Sequence, residues 1–166
     1  AGVEIAKMGF PKFDPDLKVD VFINDGARVK KGDIAFEVTG KVQSLLQTER
    51  LMLNIMQRMS GIATTTHKYM EQLKGLKTKV LDTRKTTPGM RILEKEAVKI
   101  GGGYNHRIGL FDMILLKDNH VDFAGGIVNA ITKARKYLAE KGKEMTIEIE
   151  VRNLDELQQV LNTGGV

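Results

Sequence analysis

An uninterrupted apolar run, Met113-Ile114-Leu115-Leu116, is followed at once by Lys117-Asp118-Asn119-His120. A run so short and so apolar predicts a strand covered on both faces, as in parallel sheets, and the polar residues after it mark the strand's carboxyl end. The scheme repeats on either side. Lys79-Val80-Leu81 predicts a short strand, and Pro88 to Lys99 a helix with Pro88 in its first turn. Ile127, Ala130, Ile131, Ala134 and Leu138 have the spacing of an amphipathic helix, and Met145 to Val151 predicts a further strand. Asn153 with Glu156 three residues on has the pattern of a capping box, opening a helix that Gly164-Gly165 would end. Repeated strand–helix units define an α/β class, either a parallel sheet or a (β/α) barrel. A closed barrel typically needs about 250 residues, so residues 76–166 are expected to form a partial barrel. The chain is accordingly expected to be part of a longer one, with the next strand opening at Val166.

The first 75 residues follow other rules. Val19, Val21 and Ile23, then Ile34, Phe36 and Val38, alternate with polar neighbours at the period of a half-buried strand. Asn24-Asp25-Gly26 and Lys31-Gly32-Asp33 predict turns between them. From Val42 to Leu73 the apolar residues take helical spacing in a stripe too wide for one exposed face. Its methionines fit packing between helices or subunits. Ser60-Gly61 predicts an end or a kink in that helix. Residues 1–75 are therefore expected to form a separate, partial N-terminal domain with linking helices.

Composition narrows the function. With no cysteine, disulfides and thiolate metal sites are excluded. No apolar run approaches the roughly 20 residues of a membrane span, and the amino end lacks a secretory pattern; a cytoplasmic protein without a membrane partner is expected. The net charge of +5 invites a nucleic-acid partner. Aromatic residues at 5% and the absence of long basic blocks argue against one.

The cations gather instead after strands. Asp82-Thr83-Arg84-Lys85-Thr86-Thr87-Pro88-Gly89 follows Leu81, and Gly101-Gly102-Gly103 leads into Tyr104-Asn105-His106-Arg107. In barrels the reactive groups stand at the carboxyl ends of strands, which would bring Arg84, Lys85, His106, Arg107 and Lys117 to one rim. So many cations in one cleft repel one another unless an anion joins them, and two arginines suit planar carboxylates or phosphates. Glu148 and Glu150 alternate with apolar residues and face one side of their strand. They can pair with a lysine such as Lys117, or Glu150 can hold Mg²⁺ or sugar hydroxyls. A dinucleotide fingerprint, a Walker loop, zinc-ligand histidine spacing and a nucleophile elbow are all missing.

Three motifs, Asp82 to Gly89, Gly101 to Arg107 and Leu116-Lys117-Asp118-Asn119-His120, strongly resemble those of the quinolinate phosphoribosyltransferase family. Thr48-Glu49-Arg50-Leu51-Met52-Leu53-Asn54, Ser60 to Thr64 and Glu148-Ile149-Glu150-Val151 match it too. The resemblance implies a (β/α) barrel preceded by a small α+β sandwich domain, with parts of both beyond this chain. It implies phosphoribosyl transfer from phosphoribosyl pyrophosphate to quinolinate with Mg²⁺ and decarboxylation, giving nicotinate mononucleotide. Arg84, His106, Arg107 and Lys117 resemble the residues that hold the quinolinate carboxylates, and Lys85 a contact to the donor. Glu150 resembles the acidic residue near Mg²⁺ and the ribose hydroxyls, with Lys117 and Glu150 as the catalytic pair. Arg50 matches an arginine lent to the neighbouring subunit, which implies at least a homodimer. On this resemblance the donor's phosphate site lies outside the 166 residues, which alone are expected to turn over poorly.

Two other readings stay open. Asp25 to Asp33 resembles the turn of biotinyl and lipoyl carrier domains. Those domains present their lysine at a hairpin tip, a setting that Lys41 lacks, so the likeness is one of strand–turn geometry. A related ribosyltransferase with another acceptor, such as nicotinate, would share the same cationic motifs.

Overall fold

The computed structural model describes residues 1–166 in two compact units, Ala1–His106 and Arg107–Val166. The first opens on helix α1, Val3–Phe13, followed by strands β1, Lys18–Val21, and β2, Phe36–Thr39. These pair antiparallel, Lys18 opposite Thr39 and Val21 opposite Phe36. The predicted turns between them sit where Gly26 and Gly32 take positive φ. Helix α2, Val42–Gln72, and helix α3, Arg91–Ile100, complete the unit. Its core joins Ala6, Phe10, Leu17 and Met52, with Val19, Val38, Ile55 and Met56 packed around them. The rings of Phe10 and Phe36 meet at 6.2 Å in a tilted arrangement. Gly9 lets α1 approach α2, since a Cβ there would stand 2.6 Å from Met52 Sδ.

Several expectations for this unit change. Pro11 lies inside α1, in its last turns, and periodicity alone does not announce that helix. Helix α2 runs unbroken through Ser60-Gly61 for 31 residues. Ser60 does not compete with its helix, because its hydroxyl donates to Ala1 O at 3.1 Å. Pro88 precedes α3 instead of opening it, in a turn closed by Met90 N donating to Thr87 O. The strand predicted at 79–81 narrows to a single parallel bridge between Leu81 and Tyr104.

The second unit contains β3, Ile114–Leu116; α4, Asp118–Ala124; α5, Ile127–Glu140; β4, Ile147–Ile149; and α6, Leu154–Thr163. Strands β3 and β4 run parallel, with Ile114 opposite Ile147 and Leu116 opposite Ile149. Leu116 and Ile149 pack on a core of Val121, Ile127, Ala130, Ile131 and Val160. Residues 114–116 are half-buried, where the apolar run predicts full cover on both faces. The cap of α6 forms as its spacing predicts, with Asn153 Oδ1 accepting from Glu156 N at 2.9 Å. The Glu156 carboxylate turns to Arg152, accepting from its backbone N at 2.7 Å and from its Nε at 2.8 Å. Those bonds hold the Glu156 carboxyl below its ordinary range. The order of parallel strands and helices is that of an α/β fold. No helix is long and apolar enough to cross a membrane.

Candidate active site

Within the second unit, Lys117 and Glu150 come from the same place on neighbouring strands. Each is the first residue past the carboxyl end of its strand, and Glu150 N donates to Leu116 O at 2.9 Å to extend the parallel pairing. Because Leu116 and Ile149 are in register, the two side chains meet, with Lys117 Nζ 3.6 Å from Glu150 Oε1. Both remain about half exposed, at 42% and 52%. A pair so placed is a weak stabiliser and can exchange partners with a charged ligand. Backbone N of Lys117 donates to His120 Nδ1 at 2.9 Å, so His120 caps the start of α4. Glu148 is exposed on β4, and Arg107, which opens this unit, is buried to 8% exposure.

Arg84, Lys85 and His106 belong to the first unit. Arg84 is partly buried, and its Nε is a buried donor with no acceptor. A buried N–H without a partner is unusual and costly. The segment around it is tied down at short range: Lys85 N donates to Thr83 Oγ1 at 3.1 Å and Thr86 N to Arg84 O at 2.9 Å. Arg91, at the start of α3, adds bonds from Nε to Thr86 Oγ1 at 3.3 Å and from its terminal nitrogen to Arg84 O at 3.4 Å. Lys85 is exposed and His106 half-buried. Arg50 is exposed on α2, facing away from its own unit's core.

Beneath these residues lies a layer that sequence reasoning missed. Helix α3 buries two successive charges, Glu94 at 7% and Lys95 at 2% exposure, and leaves Ile92 at 72%. Lys95 Nζ forms a salt bridge with the Asp82 carboxylate and also donates to His106 O at 3.3 Å. The same Asp82 Oδ1 accepts from His106 N at 2.9 Å. With its amide nitrogen turned towards acceptors, Asn105 donates to Asp82 Oδ2 at 2.7 Å and to Lys95 O at 2.8 Å. On the other side of the helix, Glu94 Oε1 accepts from Arg58 Nε at 2.9 Å, and Oε2 accepts from Thr87 N at 3.3 Å. Burial raises the Glu94 carboxyl pKa, but the bonds from Thr87 and Arg58 outweigh it and the net shift is downward.

The glycine-rich loop serves packing. A Cβ on Gly101 would stand 2.5 Å from Ala63 O, and one on Gly103 would stand 2.8 Å from Thr66 Cγ2 and Val98 Cγ1. These glycines seat the end of α3 against α2 and deliver the chain to Tyr104, Asn105 and His106. A cavity of about 700 Å³ lies elsewhere in this unit, against His67, Met70, Lys79 and Tyr104. None of the predicted site residues lines it.

No group of three or more His, Cys, Asp or Glu side chains stands together to hold a cation. Glu150 offers one half-exposed carboxylate, an oxygen donor of the kind Mg²⁺ takes. Mg²⁺ typically binds one or two carboxylates plus substrate phosphates, not a protein cage, and on those terms the residues fit.

Comparison with known proteins covers almost every residue. The N-terminal domain model of quinolinate phosphoribosyl transferase matches residues 1–60, and the C-terminal domain model matches residues 62–166. The chain is 50% identical over 161 residues to an Arabidopsis thaliana protein named nicotinate-nucleotide pyrophosphorylase [carboxylating], chloroplastic, covering 97% of this chain and 46% of that one. It is 43% identical over 165 residues to a probable nicotinate-nucleotide pyrophosphorylase [carboxylating] of Bacillus subtilis, covering 99% and 56%. Thus the chain spans about half the length of the curated relatives it matches. The crystal structure of NadC from Streptococcus pyogenes superposes with a TM-score of 0.89 at 43% identity, covering 99% of this chain and 57% of that one. The nicotinate-nucleotide pyrophosphorylase of Francisella tularensis gives 0.89 at 43%, covering 98% and 57%. With both domain models matched in order, the chain belongs to the quinolinate phosphoribosyltransferase family.

Proposed function

We propose that the protein transfers the phosphoribosyl group of phosphoribosyl pyrophosphate to the ring nitrogen of quinolinate and releases CO₂, leaving nicotinate mononucleotide and pyrophosphate. The observation that carries this reading is the Arg84 guanidinium, whose buried Nε has no acceptor in the protein. A ligand carboxylate supplies that acceptor, in the bidentate geometry that arginine favours. His106, Arg107 and Lys117 would share the two carboxylates, and Lys85 would meet the donor's phosphates. Residues 1–75 would hold part of the family's N-terminal domain together with linking helices, and 76–166 part of its (β/α) barrel. The parallel β3–β4 pair, with Lys117 and Glu150 at one end, is the local geometry that such a barrel rim requires.

The chemistry asks for placed charge, not a protein nucleophile. The bond from the anomeric carbon to pyrophosphate breaks, the pyridine nitrogen forms the new bond, and positive charge develops on the ribose. Glu150, half exposed at the strand end, would stabilise that charge and orient the ribose hydroxyls. Mg²⁺, held by Glu150 and the donor, would neutralise the departing pyrophosphate. The ribosylated ring nitrogen is then cationic. It accepts the electron pair left when the bond to the adjacent carboxylate breaks and CO₂ departs, and a proton takes that ring position. Lys117 would hold the remaining carboxylate throughout. Positioning of this kind supplies much of an enzyme's rate. Arg50, exposed on α2, supports the further reading that it enters the site of a second subunit in a homodimer.

The test is acceptor choice. The full-length protein, given donor, Mg²⁺ and either quinolinate or nicotinate, is expected to release CO₂ and form mononucleotide only with quinolinate. Product from nicotinate alone would overturn the reading in favour of a non-decarboxylating ribosyltransferase.

A further inference from the structure

We infer that Asp82 and Lys95 form a buried positioning pair that sets His106, and so the acceptor end of the site; the inference rests on the proposed reaction. Neither residue is placed to touch substrate: their side chains are 7% and 2% exposed. What they touch is the backbone of His106 at both ends. The Asp82 carboxylate accepts from His106 N at 2.9 Å, and Lys95 Nζ donates to His106 O at 3.3 Å. One ion pair thereby satisfies both peptide groups of the residue and fixes the direction in which its imidazole leaves the chain. The same carboxylate takes the Asn105 amide at 2.7 Å, so the two residues of the loop that precede Arg107 are both anchored. Asp82 lies two positions before Arg84, and one carboxylate therefore links both cationic segments of this unit.

Stability alone does not explain such a pair. Burying two charges costs solvation that their attraction returns only with good geometry and further hydrogen bonds, and well-packed apolar side chains of similar volume often serve as well. An apolar pair would remove the bonds that Asp82 and Lys95 make to His106 N and O. Directed bonds to that peptide are what the charged pair adds.

The experiment uses the full-length protein and three variants, Lys95→Met, Asp82→Asn and the Asp82→Asn/Lys95→Met double. The double leaves no unpaired charge and keeps an amide oxygen for His106 N, so it provides a folded variant where a single exchange unfolds the protein. Leu17→Ala, in the core around Phe10 and Met52, is the control that loses stability far from His106. Misplacement by about an ångström typically costs on the order of 100-fold. Lys95→Met and the double are expected to lose roughly 10- to 100-fold in kcat/KM for quinolinate. Most of that loss is expected in the quinolinate KM, with the donor KM moving less than about threefold. The imidazole resonances of His106 should shift in the variants and not in Leu17→Ala. A double variant with wild-type quinolinate KM and unshifted His106 resonances would overturn the positioning role. Wild-type protein without CO₂ release would instead sink the proposed reaction, and the His106 resonances would still decide the role of the pair.

Discussion

Replacing Glu94 by glutamine tests whether the segment after Asp82 is held by buried charge. The exchange keeps the shape of the side chain and removes its charge. Glu94 uses both oxygens, with Arg58 Nε at 2.9 Å and its terminal nitrogen at 2.8 Å on Oε1 and Thr87 N at 3.3 Å on Oε2. Glutamine has one acceptor and one NH₂ donor. Whichever way it turns, one N–H that was satisfied meets another donor. A hydrogen bond to a charged group is worth roughly 1.5–3 kcal/mol. The Glu94 side chain is 9% exposed, but that of Arg58 is 52% exposed, so solvent screens the Arg58 half of the interaction. The net loss expected at pH 7 is about 2 kcal/mol, most of it on the Thr87 side.

The pH dependence gives this prediction its sign. The folded-state pKa of Glu94 lies below the ordinary value of 4.5 that the unfolded chain approaches. Its contribution is therefore complete above about pH 4.5 and is lost as pH falls through the depressed folded value. Glutamine does not titrate. In urea unfolding followed by circular dichroism, the stability gap between wild type and Glu94→Gln should be widest near neutrality and narrow steadily below pH 4.5. A gap that stays constant from pH 7 down to pH 3, or one smaller than about 0.5 kcal/mol at pH 7, within the range of a neutral surface exchange, would refute the assigned role.

Three further outcomes follow from single contacts. Gly101→Ala drives a methyl group against Ala63 O, a backbone atom that cannot turn aside, and should cost about 1–3 kcal/mol in urea unfolding. Asn153→Ala removes the one side-chain cap of α6 and should lower stability by about 1 kcal/mol, with faster amide exchange at Glu156. Arg84→Lys keeps the charge but removes the unpartnered Nε donor, and on the proposed reaction should lower kcat/KM for quinolinate by about tenfold or more while the fold survives.

The elements that sequence reasoning reads well are those whose pattern is set by burial alone. The alternations at 19–23 and 34–38 became β1 and β2, the spacing from Ile127 to Leu138 became α5, and Asn153 with Glu156 became the cap of α6. Sequence signals fail where a partner distant in the chain overrides a local preference. Ser60-Gly61 would loosen an isolated helix, yet Ser60 spends its hydroxyl on Ala1, 59 residues away, and α2 continues. Pro88 is suited to a first helical turn, but the turn closed by Met90 N on Thr87 O delays α3 until Arg91. Lys117 was legible as a strand-end charge because the apolar run before it locates the end of β3, whereas the strand expected before Arg84 is a single bridge. The buried supports of Arg84 and His106 were not legible.

Helix α3 shows why. In Arg91-Ile92-Leu93-Glu94-Lys95-Glu96, three successive charges on a short helix carry no local sign of burial. In the structure Ile92 is exposed, while Glu94 and Lys95 are buried. No local rule can recover this, because the burial of Lys95 depends on Asp82, 13 positions earlier, and that of Glu94 on Arg58, 36 positions earlier. A lysine alone at 2% exposure would be strongly unfavourable. It becomes tolerable once Asp82 and His106 O accept from it, and those acceptors exist only when the loops before and after α3 have closed on the helix. The cost of leaving the charge unpaired thus opposes any arrangement in which Asp82 and His106 are apart. What the sequence shows as surface charge is, in the folded chain, the constraint that holds the loops of Arg84 and His106 in one geometry.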